Sequence, residues 1–483
     1  MKTYLFLDRR LIQPQGVRNA SFHVQPIHKD TENGALFTEE FFAAPPKRWE
    51  VRYDNGYPNV LYDPQARLYR CYYTLFLEDA DSASTSKQTR AYTHYTPRSD
   101  RQVGLAYAQS ADGIHWEKPA LGKVLFEGSR DNNLLFRYAH GTGVMLDVWD
   151  SNPQRRYKLV TKMDFPDGRP GYMAVNFSAD GVNWGEMQPW PAHNPQGDSH
   201  NFPFYDPNTN TYRVMTRCWR DGVRVITSCE SKDFLHWSAP REVLRGSGFS
   251  HQVYAMPVFP YQGLYLGLAA IFHEGDRDAP DFDTVDCELY YAVTPDVFDA
   301  VAERQPFIPR GAGEYPDGAF DCGCIYASPP VETQDRLYIY YMGGNGRHTD
   351  YREAALGRGW IQKDHFACYQ QNRPERESLL TTTRLCFTGD TLFLLADLDA
   401  ESFIRCELRE QWNGTACDGF SEADFRMEKC ADGEFQLLFA KPFSALDGRP
   451  VCLTLRFCRA SIYGIKGDAV LYRHRLWEGA PSV

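Results

Sequence analysis

Side chains able to do acid–base chemistry recur in this chain at a fixed offset from a repeated turn. Five times an apolar run gives way to a polar turn and resumes at a tyrosine: Leu61 to Tyr69, Asp147 to Tyr157, Phe204 to Tyr212, Pro257 to Tyr265 and Pro330 to Tyr338. Fourteen residues before Tyr212, Tyr265 and Tyr69 stand Asp198, His251 and Asn55, with Asp54 beside Asn55. In the second copy the same offset falls on Gly143, near His140, and in the fifth on Cys324, just after Asp317 and Asp321. A ring of carboxylates, imidazoles and amides at equivalent positions can hold one group ionised to attack or activate water. It can hold another protonated to assist a leaving oxygen, as glycoside cleavage requires. Clustered carboxylates push each other's pKa values apart and so supply both states near neutrality.

A second offset singles out Glu288. Ten residues before the aromatics Trp116, Trp184, Trp237 and Phe298 stand Ala106, Ala174, Thr227 and Glu288. A carboxylate where sister copies hold small residues is costly unless paired or used. It therefore pairs with an arginine such as Arg217 or acts as an acid. Asp286, two residues earlier, shares its face of a strand, which allows a carboxylate pair. Asp198 sits in Gly197-Asp-Ser-His-Asn201 immediately before a buried run, as a reactive group or as a cap. The expected substrate ligands are Asn55, Tyr57, His140, His200, Asn201, Gln252, Asp286, Asp317 and Asp321, with His273 and Glu274 nearby. Trp219, Trp149, Tyr57 and Phe320 are candidate platforms for a sugar face.

The elements that must position these groups are strands. Alternating β-branched and aromatic residues around Asp-Pro or Asn-containing turns read as β-hairpins. A second phrase interleaves with them: Ser110-Ala-Asp-Gly-Ile-His-Trp116, Ser178-Ala-Asp-Gly-Val-Asn-Trp184 and Ser231-Lys-Asp-Phe-Leu-His-Trp237, decaying to Thr294-Pro-Asp-Val-Phe298. Hairpin and phrase together make a unit of three or four strands, which reads as one propeller blade whose first strand lines a central funnel. After Tyr341 the pattern stops, and short strands separated by Gly-Asp and Asp-Gly turns, from Leu379 to Phe457, suggest a β-sandwich. The expectation is an all-β chain, a five-bladed β-propeller over 1–355 followed by a C-terminal β-sandwich over 356–483.

Composition narrows the partners. A net charge of −11 disfavours nucleic acid and anionic membranes, and aromatics at 14% of residues suit both sheet packing and sugar stacking. The N-terminal segment lacks a secretion signal and no run approaches a membrane span, which leads one to expect a cytoplasmic protein. Thirteen cysteines without a Cys-x-x-Cys pair read as free thiols in sheets. No metal or nucleotide-cofactor spacing occurs, so no metal and no cofactor is expected.

Five blades marked by Asp-Pro hairpins and Ser-x-Asp-Gly-x-x-Trp endings, followed by a sandwich, resemble glycoside hydrolase family 32 and its five-bladed relatives in families 43, 68 and 117. The resemblance covers essentially the whole chain. The first-blade segment here reads Tyr53-Asp-Asn-Gly-Tyr-Pro-Asn-Val-Leu in place of the Asn-Asp-Pro-Asn-Gly of family 32, whose Arg-Asp-Pro and Glu-Cys are also not present. The resemblance implies that Asp54, on the first blade, is nucleophile or base; the turn Asp54-Asn-Gly is the plainer alternative. Family 117 enzymes resemble this chain in carrying an active-site histidine where others have Glu, which implies a general-acid role for His251. Otherwise that side chain hydrogen-bonds a sugar hydroxyl. The activity implied is O-glycosyl hydrolysis of short oligosaccharides, in an exo-acting mode, with a silent carbohydrate-binding propeller as the alternative.

Overall fold

The computed structural model describes residues 1–472; residues 473–483, the end of the expected sandwich, lie outside the described residues. The protein is all-β, with two α-helices, Ala80–Ser84 and Lys87–Arg90, and a few single 3-10 turns among the described residues. Two compact units arise, one of residues 26–361, the other of 1–25 together with 362–483. The expected boundary at 355/356 thus falls a few residues later. The first 25 residues leave the expected propeller region because the strand Lys2–Leu5 pairs antiparallel with Gly464–Gly467.

In the larger unit all five expected hairpins form. The strands Asn59–Asp63, Leu68–Glu78, Gln102–Ser110 and Trp116–Glu117 lie side by side in chain order, and Leu134–Arg137 pairs with the third. Ala139–Leu146, Tyr157–Met163, Tyr172–Ser178 and Gln188–Pro189 make a second sheet, and Phe202–Asp206, Thr211–Arg220, Val223–Ser231 and Arg241–Arg245 a third. The remaining strands form one sheet of twelve, whose two antiparallel halves meet at a single parallel pair, Val285 with Cys324.

Apolar side chains bind each sheet to the next. Tyr72, Leu105 and Tyr107 of the first meet Val144 and Leu159 of the second, and Val160 and Met173 of the second meet Val214 and Cys229 of the third. Phe202 and Met215 continue to Val253 and Ile271, and Tyr254 and Phe272 to Cys324 and Tyr326. Tyr340 and Met342 then meet Val60 and Tyr73, so the last strands return to the first. Each such buried side chain contributes roughly 1.5–3 kcal/mol relative to exposure.

The repeats explain this contact order. In each Ser-x-Asp turn the Ser Oγ accepts two backbone N–H groups, from the Asp and the residue after it, and the Asp Oδ1 accepts two more: Asp112 from Ile114 and His115, Asp180 from Val182 and Asn183, Asp233 from Leu235 and His236. The turn carbonyl of Gly181 accepts from Tyr72 Oη of the preceding sheet at 3.0 Å, and that of Gly113 from Tyr340 Oη at 3.0 Å. The hairpins carry a second tie. The hairpin aspartate of one sheet accepts from the hairpin tyrosine of the next: Asp63 from Tyr157, Asp147 from Tyr212 and Asp206 from Tyr265. The decayed fourth phrase differs, because Asp296 takes Arg213 and Arg241 of the third sheet.

In the smaller unit two long strands, Ser378–Arg409 and Val451–Leu471, bend at bulges and pair with each other over most of their lengths. Their inward faces, with Leu380, Leu394, Cys406, Leu455 and Ile465, form one apolar core.

Candidate functional site

The innermost strands of the first three sheets, together with Gln252–Ala255, begin close to the positions picked out by the tyrosine offset. The segment before Asn59 is a tight turn with Asp54 at φ 56°, Gly56 at 66° and Tyr57 at 41°, where Gly56 N donates to Tyr53 O. A positive φ is ordinary for Gly and tolerated by Asp, but for a tyrosine it is a strained conformation. Surrounding contacts hold it. Asn55 Nδ2 donates to Tyr57 Oη at 2.7 Å, and the Tyr57 ring packs against Tyr326 and His200.

This turn presents the Asp54 carboxylate to two arginines. Arg352 Nη2 donates to Asp54 Oδ1 at 2.8 Å and to Asn55 Oδ1 at 2.8 Å, and Arg52 Nε reaches Asp54 Oδ1 at 3.2 Å. The Arg352 side chain is 0% exposed and that of Asp54 27%. Burial by itself would raise the Asp54 pKa, but Arg352 and Arg52 outweigh it and hold the carboxyl well below the usual carboxylate range. Asp54 is ionised at neutral pH.

Asp198 pairs with Arg217 Nη2 at 2.5 Å. Burial again opposes ionisation and Arg217 overrides it, so Asp198 is also held below its ordinary value. A chain of contacts joins the two carboxylates. The Arg217 guanidinium lies 4.4 Å from the Tyr254 ring centre, Tyr254 packs on Tyr326, and Tyr326 on Tyr57. His348 lies against Tyr254 and shares a hydrogen bond with Tyr326 Oη at 3.1 Å; burial and Arg352 push its imidazole well below 6.5, leaving it neutral.

His251 and Glu288 meet each other. His251 Nε2 lies 2.9 Å from Glu288 Oε1, both side chains are buried, and neither His251 Nδ1 nor Glu288 Oε2 has a hydrogen-bond partner. The expected pairing of Glu288 with Arg217 does not occur, because Arg217 reaches Asp198. Nor do Glu288 and Asp286 form a carboxylate pair. Asp286 accepts from His273 at 2.7 Å and from Arg310 at 2.7 Å, so each carboxylate has its own histidine. The two imidazoles stand 6.4 Å apart. Burial would lower the His273 pKa, but the Asp286 hydrogen bond and charge raise it above 6.5.

Several expected ligands are taken up by the fold. The Asn201 amide donates to Gly141 O and Gly197 O and accepts from Thr216, and His200 bonds Asn59 with its pKa lowered by burial to about 3. Gln252 bridges Arg224 and Glu274. Asp321 is buried and taken up by Lys29 and Tyr341, and Asp317 is exposed on a loop. His140 pairs with Asp164 at 3.2 Å. Of the aromatic candidates, Trp219 is exposed on the rim, Trp149 stacks on Tyr205, and Phe320 stacks on Tyr341.

Arg52, Arg352, Tyr254 and His348 were missed from the sequence. No local signal marks them: Arg52 and Arg352 lie in polar segments outside the strands, close to Asp54 and Glu353 respectively. The segment carrying Arg347 and Asp350 also lines a cavity of 440 Å³ with Arg90, Tyr92, Arg310 and Tyr315. None of the sequence-predicted site residues lines it, whereas His251 and Gln252 line a smaller one of 250 Å³. Among the described residues no group of three or more His, Cys, Asp or Glu side chains converges as a metal site. No helix among them is long and apolar enough to cross a membrane.

No family model matches the chain. No curated protein matches it either. Solved structures do. An N-acetylgalactosamine deacetylase from F. plautii, in complex with blood group B trisaccharide, is 13% identical over 71% of this chain and 96% of its own, with a TM-score of 0.45. A structure described with the GH130 family of mannoside phosphorylases, which contains hydrolases of β-1,2 mannosidic linkages in Candida mannan, is 12% identical over 70% and 96%, with a TM-score of 0.44. The α-L-arabinofuranosidase from Podospora anserina, in complex with cellotriose, is 12% identical over 68% and 95%, with a TM-score of 0.43.

Proposed function

We propose that the protein is an O-glycosyl hydrolase acting on short oligosaccharides from their ends. In this reading residues 26–361 form a five-bladed catalytic propeller and the unit of 1–25 with 362–483 a β-sandwich. The sheet order, the hairpin ties between successive sheets and the return of the last strands to the first support five blades closed in a ring. The bends that let two long strands pair twice support the sandwich.

The observation that carries the function is the strained turn at residues 54–57. A turn alone does not need two buried arginines converging on its carboxylate. Backbone strain held by surrounding structure is characteristic of sites where it positions a reacting group. Asp54, ionised and partly open, acts as nucleophile or base. Asp198, also ionised, accepts from a sugar hydroxyl. The proton donor is His251, oriented by Glu288 in the way a histidine is set by a carboxylate on its other nitrogen.

The pairing of both rim aspartates with arginine also favours a second reading, a propeller that binds carbohydrate without cleaving it. A hydrolysis screen over furanosides, pyranosides and short oligomers separates the two. Turnover that falls roughly a hundred- to ten-thousand-fold in Asp54→Asn and in His251→Ala is expected for the enzyme. Sugar binding with no turnover, or turnover that both variants retain, overturns it.

A further inference from the structure

The third sheet carries an aromatic patch with two arginines, Arg217 and Arg224, whose carboxylate partners Asp198 and Glu274 leave part of each guanidinium without an acceptor. On the hairpin of Thr211–Arg220 and Val223–Ser231, Trp219 pairs directly with Arg224, and Arg217, two residues before Trp219, shares its face. The Arg224 guanidinium lies 4.4 Å from the Trp219 ring centre, and that of Arg217 4.4 Å from the ring centre of Tyr254 and 5.7 Å from that of Trp219. Trp219 remains 41% exposed. The Arg217 side chain is 4% exposed and spends Nη2 on Asp198, while its Nε and Nη1 have no hydrogen-bond acceptor. Arg224 Nη1 holds Gln252 Oε1 at 3.1 Å and Glu274 Oε2 at 2.8 Å, and its Nε has no acceptor.

Two guanidinium groups stacked on aromatic rings, with edge N–H donors left over, are arranged to meet a planar oxyanion through paired hydrogen bonds. A neutral sugar asks for an aromatic face and hydroxyl partners but gives no return for burying cationic donors. The net charge of −11 means that this patch does not reflect the general composition. Resting on the glycosidase reading above, we infer that the Arg217–Trp219–Arg224 face recognises the carboxylate of an acidic sugar, a uronic acid unit, with its ring on Trp219.

The test is calorimetric titration of the full chain with glucuronate, galacturonate, glucose, galactose and inorganic phosphate, for the wild type, Arg224→Met, Arg224→Lys and Trp219→Ala. The uronates should bind roughly tenfold to a hundredfold more tightly than the matching neutral sugars. That preference should be lost in Arg224→Met, reduced in Arg224→Lys, and weakened for both sugar classes in Trp219→Ala. Equal affinity for acidic and neutral sugars in the wild type overturns the inference without need of any variant. So does phosphate binding as tightly as the uronates, which marks a free-anion site, or a preference that survives in Arg224→Met. Turnover decides the other question: selective uronate binding with no hydrolysis of uronides or neutral glycosides sinks the glycosidase reading alone. Hydrolysis of neutral glycosides without uronate preference sinks this inference alone.

Discussion

Replacing Asp54 with asparagine should cost stability as well as turnover, and the pH dependence of that cost is the more discriminating readout. The substitution leaves Arg352, fully buried, and Arg52, 3% exposed, facing a neutral amide. Removing one partner of a buried ion pair typically costs 3–5 kcal/mol. Two features reduce it here: the Asp54 side chain is 27% exposed, and Arg352 keeps Asn55 Oδ1 and the carbonyls of Arg347 and His348 as acceptors. A loss of about 2–3 kcal/mol is therefore expected. In a unit of this size, residues 26–361, that lowers Tm by roughly 3–4 °C. Because the folded pKa of Asp54 is depressed below its unfolded value, its contribution is complete above the unfolded pKa near 3.8 and drains away as pH falls below it. Melts of wild type and Asp54→Asn at pH 7, 5, 4 and 3 should show a constant gap down to about pH 5 and a shrinking one below pH 4. A gap that is flat to pH 3, or a variant as stable as wild type at pH 7, would refute the ion-pair reasoning. An activity loss in this variant counts as catalytic only at temperatures well below its own Tm.

Two further outcomes test the scaffold and the rim. At Gly181, φ is +76° and an added Cβ would lie 2.3 Å from Tyr72 Oη, so Gly181→Ala should cost about 2–3 kcal/mol in denaturant melts from left-handed strain and the lost turn hydrogen bond. Gly128→Ala, at φ +80° with open space around it, should cost only the conformational part, about 1–2 kcal/mol, and equal losses at the two sites would discredit the sheet-to-sheet tie. The raised pKa of His273 makes its link to Asp286 stabilising below pH 6.5, with that contribution lost as pH rises through the folded pKa. Asp286→Asn should therefore bring the His273 pKa, followed by NMR, below 6.5, and its stability deficit should be larger at pH 6 than at pH 8.5.

Local turn chemistry was legible in the sequence because it is satisfied within a few residues. Each Ser-x-Asp phrase closes its own hydrogen bonds between residues two and three apart, and each hairpin follows from its flanking alternation, so all five hairpins stand where the text puts them. Phe234 shows how far this goes: it takes the left-handed place of Gly113 and Gly181 at φ 67° and fills with its own ring, packed on Tyr212 and Trp237, the space that Tyr72 and Tyr340 occupy at the other copies. The tyrosine offset also carried real information, because strand length and pleat fix where an inner strand begins relative to its hairpin. It placed Asp54, Asp198 and His251 at strand entrances from residue counting alone.

The partners of those groups were decided only by the tertiary structure. Arg352 meets Asp54 across 298 positions of sequence because the last strands return to the first, and His251 meets Glu288 across 37 because the strand after His251 and the strand of Glu288 flank the same middle strand, Leu264–Phe272, in one sheet. Nothing in the local text distinguishes Arg217, which holds Asp198, from an arginine that would have held Glu288. Sequence determined which residues stand near the strand entrances, since backbone periodicity is local. Tertiary contacts determined which of them are ionised, paired or consumed by the fold, since electrostatic neighbours depend on distance in space and not along the chain.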